Sequence, residues 1–179
     1  MTLRSFWCSL NMKITLAVVG VVVGILAGVM FAGEYHSYNS TAFGFLSSSL
    51  AFITLIVHIK YKRQTLGGWT DKKILLTFMI VGCVFQVIAI TAFITYIALG
   101  ITLHQGVSTV ADMYGENYWV SLVWAWMTWK WGFTLFWFSR KYQREYLNER
   151  QEYVVRDMMV EVTKTKKNNF DVAAKDCIA

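Results

Sequence analysis

The sequence predicts an all-α integral membrane protein with four transmembrane helices and both termini in the cytosol. Three observations predict it. The chain is 56% hydrophobic over 179 residues, too apolar for a soluble domain of this size. Its apolar residues fall in four long blocks, and it contains no proline to break them. Its Lys and Arg lie on alternate sides of those blocks.

The blocks are 14–32, 42–59, 74–101 and 118–138. The first and third hold no charge, and in the second His58 is the only ionisable group. About 20 apolar residues at ~1.5 Å rise each cross a hydrocarbon core of roughly 30 Å. The third block is longer than that and is expected to tilt or to extend past the bilayer. The first block has too long an apolar core for a signal peptide and no well-placed small-x-small site near Ala32, so it reads as a retained span. Arg4 and Lys13 precede the first span. Lys60, Lys62, Arg63, Lys72 and Lys73 lie between spans two and three, and nine more basic residues follow span four. The two remaining loops, 33–41 and 102–117, have no Lys or Arg and carry Glu34, Asp112 and Glu116. This bias places those loops outside or in a lumen. The net charge of +6 is therefore a topology signal, and nucleic-acid binding is not expected, because the basic residues flank spans instead of covering one soluble face.

In span one, Gly20, Gly24 and Gly28 share a face on which another backbone can approach closely. That face suits either a helix seam within one chain or a homo-oligomer interface. In span two, Ser47, Thr54, His58 and Tyr61 form a polar stripe expected to look into the bundle. His58 and Tyr61, at the cytosolic end, are either anchored in the headgroup zone or a ligand pair at the inner mouth of a cavity. In span three, the amide of Gln86 reads as interhelical glue. Span four carries six tryptophans, 119, 124, 126, 129, 131 and 137, and one charge, Lys130. A mid-span Lys costs roughly 2.5–3.5 kcal/mol to insert, so it either snorkels or meets an anionic group or aromatic face. The span runs into Phe138-Ser139-Arg140-Lys141-Tyr142. Basic residues ordinarily follow a last span. Together with the tryptophans, this knot also suits a flat, apolar, anionic ligand. Residues 1–146 form the membrane domain. The tail, 147–179, is expected to be helical to about Val162 and disordered beyond Lys164.

Outside the spans, His104 stands where the third block leaves the membrane. It is either an ordinary interfacial His or an imidazole placed to ligate a metal or sense pH. His36 is its counterpart in the first outer loop, but the surrounding residues show no repeat. Asn39-Ser40-Thr41 is a glycosylation sequon set very close to the membrane. By this topology Cys8 and Cys177 are cytosolic and Cys83 is within a span, so no disulfide framework is expected outside. No nucleophile-base pair, carboxylate dyad or metal-ligand spacing occurs in the spans, so an enzyme is not expected.

The ordered set of His58, Ile101-Thr102-Leu103-His104-Gln105, Trp124 with Lys130-Trp131, and Phe138-Ser139-Arg140-Lys141-Tyr142 resembles the haem-responsive-gene family of haem transporters, small four-span permeases of solute carrier family 48. The resemblance covers roughly Ser47 to Tyr146. The family's closing motif has Ala where this chain has Ser139, and the loop at Thr65 to Trp69 differs in length. The resemblance implies a permease that carries haem, as transported substrate, into the cytosol. It assigns axial ligation of the haem iron to His104 outside and to His58, with Tyr61 as competitor, inside. It gives Phe138, Arg140, Lys141 and Tyr142 the closing contacts, and Lys130 is free to meet a propionate on the way. The alternative is a non-transporting tetraspan adaptor or oligomer-forming subunit. The tail has no acidic dileucine or tyrosine-based sorting motif, which favours the plasma membrane over endolysosomal membranes.

Overall fold

The computed structural model describes residues 10–63, 69–106 and 114–176, all helical apart from short turns. Four helices follow one another: α1 (Leu10–Gly33), α2 (Tyr38–Lys62), α3 (Trp69–Thr102) and α4 (Tyr118–Asp176). Each contains one predicted block and overshoots it at one or both ends. The extensions begin at polar residues that hydropathy reads as loop but that continue a helix readily once it is nucleated. Three stretches, Leu10–Gly33, Tyr38–Lys62 and Lys73–Thr102, are long and apolar enough to cross a membrane. The first part of α4 falls short by composition, because its tryptophans and Lys130 dilute its aliphatic content.

The chain divides into two compact units, Met1–Tyr142 and Gln143–Ala179. In the second, the helix continues to Asp176, past Lys164. It leaves Leu147, Val154, Val155, Met158, Met159 and Val162 exposed and carries an Arg156–Glu152 ion pair of 3.2 Å at i,i+4 spacing. The disordered end expected beyond Lys164 falls partly on residues 177–179, outside the described residues.

In the first unit, contact between helices depends on small residues. Gly24 lies against Gly44 and Ser48 of α2, where an added Cβ would come within 2.8 Å of the Ser48 Cβ. Gly28 meets Phe45, and Gly20 meets the Trp131 ring. The Ser48 hydroxyl donates to the Val21 carbonyl at 3.0 Å across the same seam. The face that the sequence offered to a homo-oligomer through Gly20, Gly24 and Gly28 is thus occupied within one chain. In lipid, such close backbone approach is the main source of helix association. The same device joins α3 to α4: a Cβ on Gly82 would lie 2.8 Å from the Gly132 carbonyl oxygen. Gln86 does not bridge helices as glue. Its amide donates to the Gly82 carbonyl of its own helix at 3.3 Å.

The outward surface of α1 is aliphatic, with Val18, Val19, Val22, Leu26 and Val29 exposed, as lipid contact requires. The interior holds Leu50, Ala51, Val57, Trp131 and Leu135, together with a second cluster of Phe43, Tyr96 and Ala125. The polar stripe of α2 faces inward as expected: Ser47, Thr54 and His58 are buried, and Tyr61 is half-buried. Two of the buried hydroxyls are satisfied by backbone carbonyls. Thr54 donates to the Leu50 carbonyl at 2.8 Å, and Thr128 reaches the Phe43 carbonyl of α2 at 3.1 Å.

Candidate functional sites at the two ends of the bundle

The closing motif sits on α4, where the helical period splits it. Phe138 and Tyr142, four residues apart, turn inward with Ser139, while Arg140 and Lys141 are exposed. Tyr142, 2% exposed, meets α2. A 2.8 Å hydrogen bond joins its hydroxyl to His58 Nδ1, and its ring stacks on Tyr61 at 3.8 Å with only 9° between planes. Phe138 lies edge-on to the His58 imidazole at 4.7 Å. Lys13 of α1 places its ammonium 4.7 Å from the centre of the Phe138 ring. Four of the predicted residues, His58, Tyr61, Phe138 and Tyr142, therefore form one aromatic cluster with two exposed cations beside it. His58 is 1% exposed, so an iron atom reaches it only if the cluster parts. The imidazole and the phenol are both capable of ligating ferric iron, and the bond between them engages Nδ1 of the imidazole and leaves Nε2 outside it. Ser139 is fully buried and its hydroxyl has no hydrogen-bond partner.

The other site is at the opposite end. The first turn of α2 is tied to Glu116, which accepts from the Tyr38 N–H at 2.7 Å, the Asn39 N–H at 3.3 Å and the Asn39 side-chain amide at 2.8 Å. A carboxylate caps that helix across the chain, satisfying orphan N–H groups at the positive end of the dipole. Ser37, the local cap position, makes no such bond and turns instead to Ser40, which meets Ser121. Asn117 caps α4 through the Trp119 and Val120 N–H groups. Gln105 knits these parts together. Its side chain donates to the Glu116 carbonyl and accepts from the Tyr118 N–H, both at 2.8 Å, and its own carbonyl accepts from the Trp119 indole at 2.9 Å.

His104 stands at the edge of this network. The Gln105 N–H reaches the Gly100 carbonyl and the His104 N–H reaches that of Ile101, which is the paired bonding of a Schellman cap. His104 occupies the left-handed position of that cap, with φ 48°, where Gly is usual. Its side chain is exposed, held outward on a backbone that the surrounding bonds fix. His36 also has positive φ, 52°, in the neighbouring loop. Beside it, Tyr114 donates to Glu34 at 3.3 Å, and the Glu34 charge raises the phenol's pKa. Because α2 runs from Glu116 to the aromatic cluster, His58 lies roughly 30 Å from the His104 end at ~1.5 Å per residue.

Lys130 joins neither group. It is exposed on the outer face of α4, its ammonium 5.3 Å from the centre of the Trp131 ring. Asn39 has its side-chain nitrogen on Glu116, and its oxygen accepts from the Tyr96 hydroxyl at 3.2 Å. The Glu116 hub and the His58–Tyr142 bond both join residues more than 70 positions apart, and no local motif announces such pairings. The cap at Asn117, just ahead of an apolar run, is legible in the sequence.

Residues 75–131 match a family profile described as haem-transporter, endosomal/lysosomal, haem-responsive gene. Among curated proteins, the chain is similar to the haem transporter hrg-1 of Caenorhabditis elegans, with 32% identity over 149 residues, 80% of this chain and 72% of the relative. It is also similar to hrg-4 of the same organism (29% over 182 residues, covering 88% and 94%) and to hrg-6 (27% over 127 residues, covering 71% and 78%), both haem transporters. No solved structure matches the chain.

Proposed function

The chain belongs to the haem-responsive-gene family of haem transporters, and on that premise we propose that it carries haem from the outer or lumenal side into the cytosol between two stations. The first station is His104, whose exposed imidazole offers an axial ligand to haem iron. The second is the cluster of His58, Tyr61, Phe138 and Tyr142, with Arg140 and Lys141 beside it for the propionates. The first part of α4 is the fourth crossing, and both termini are cytosolic, from the Lys and Arg bias.

One observation supports the reading above the others. The buried 2.8 Å bond between His58 and Tyr142 joins a candidate iron ligand to the closing motif, from elements 84 residues apart. Haem arriving there exchanges this bond for iron ligation, so the cluster is a closed resting state of the inner station. The family description names endosomal and lysosomal membranes, and the tail has no sorting motif that favours them over the plasma membrane. His104 faces away from the cytosol in either membrane. The adaptor reading loses its main support, since the glycine face it relied on is filled within the chain.

The test is haem-dependent growth of a haem-synthesis-deficient cell expressing this chain, with surface level measured. Wild type supports growth at low haem, and His104→Ala and a joint Arg140→Gln/Lys141→Gln variant do not. Normal uptake by both variants refutes the two-station path. A well-expressed wild type that neither rescues growth nor shows a Soret band with added haem returns the adaptor reading.

A further inference from the structure

The exposed face of α4 differs from that of α1, which is aliphatic. Trp126, Trp129, Phe133 and Trp137 stand three or four residues apart, hence on one side of the helix. Their rings form a continuous ladder, with centroids 4.9, 5.8 and 6.0 Å apart and successive planes only 32°, 19° and 26° from parallel. Phe93 of α3 extends it beyond Trp126 at 5.9 Å. Trp126 is 50% exposed and Trp137 54%, so these rings are not packing the interior. Lys130, the residue after Trp129, is exposed beside the ladder, with its ammonium 5.3 Å from the centre of the Trp131 ring. From Trp126 to Trp137 the ladder covers roughly 16 Å, about half a hydrocarbon core, and ends beside the closing motif.

Lipid contact alone does not call for this surface. The exposed face of α1 meets that requirement with Val and Leu, and an ammonium held against hydrocarbon is costly. No carboxylate occurs between Glu116 and Glu145, so no acidic residue of this stretch balances Lys130. A row of stacked rings presents its edges outward, and such edges beside a cation match the face of a planar aromatic plate with anionic substituents. Where it is described, the interior is closely packed. Gly82 and Gly132 touch backbone to backbone, and Leu50, Thr54, Thr128 and Leu135 are each 2% exposed or less.

We propose that haem travels along the outside of α4, at the protein–lipid boundary, with one porphyrin face on this ladder and a propionate on Lys130. The proposal rests on the haem-transport reading above and specifies its route. The opposite porphyrin face and edge lie against acyl chains, and the bundle itself need not open between the stations.

The test uses the full-length chain in the same growth assay, with haem binding followed by Soret absorbance. Replacing Trp126, Trp129 and Trp137 together by Leu keeps the face apolar and removes the indoles. Uptake falls roughly tenfold while the Soret band remains. The same three positions changed to Phe retain uptake, since rings and not bulk are required. Lys130→Gln lowers uptake several-fold and Lys130→Arg restores it. If the Leu variant does not reach the surface, the Lys130 pair decides. Wild-type uptake by Lys130→Gln and by any surface-expressed Leu variant overturns the external route. That result would still leave wild type and His104→Ala different, whereas failure of the transport reading removes uptake by wild type itself.

Discussion

At the scale of single residues, His104 and Ser139 each break a local rule. His104 takes the left-handed cap position at the end of α3, which Gly fills at least cost. Replacing it with Gly is expected to leave thermal stability unchanged or raise it by up to about 1 kcal/mol. His104→Gly abolishes uptake, so a melting curve beside a growth assay separates the residue's chemistry from its backbone role. His104→Ala loses uptake without the gain in stability. Ser139 stands where the family motif has Ala, and its buried hydroxyl has no partner. Burying an unsatisfied hydroxyl costs about 1–3 kcal/mol. Ser139→Ala therefore raises the unfolding midpoint in detergent and leaves uptake intact. A lowered midpoint would mean that the hydroxyl is bonded in the membrane.

At the scale of helices, the two seams depend on glycine more than on side-chain volume. An extra methyl on Gly82 meets the Gly132 carbonyl oxygen and the backbone of Phe136, neither of which can swing aside. Gly82→Ala is expected to cost about 1–3 kcal/mol, as overpacking does. The loss is read as reduced thermal stability of the purified protein. Gly33→Ala, with open space around the added methyl, serves as the matched control. Between α2 and α4 the joint is instead polar and aromatic, through the His58–Tyr142 bond and the Tyr61–Tyr142 stack. A joint built from a hydrogen bond and a stack can be exchanged for ligand contacts, whereas a backbone-to-backbone seam cannot. The inner station thus falls on the exchangeable joint.

For the whole molecule, the end that carries His104 is heavily tied. Glu116, Gln105, Asn117, Asn39 and Tyr96 bind the starts of α2 and α4 to α3 and its exit turn. The sequon residue is part of this mesh, its side-chain amide spent on Glu116. Asn39 is therefore expected to stay unmodified even though it faces the outer side. Glycosidase treatment of the cell-expressed protein should leave its mobility unchanged, and a shift would show that the mesh opens during synthesis. A bonded rim with His104 on its edge and an aromatic cluster at the other end are consistent with the proposed two-station path.

The sequence by itself determined the helix count, the three most apolar spans, the inward polar stripe of α2 and the family. These depend on composition, on period and on ordered short motifs, all carried along the chain. It also named the candidate residues at both ends, including His104 and the closing motif. Only the tertiary structure decided which of them meet. His58 bonds Tyr142 across 84 positions, and Glu116 caps a helix that begins 78 positions earlier. It also decided that the glycine face of α1 is spent within the chain and that Lys130 looks outward with a ladder of rings. These outcomes depend on how four helices rotate about their axes when they pack. Apart from the polar stripe that turns α2 inward, rotation is set by many small contacts at once, which no local pattern of residues encodes.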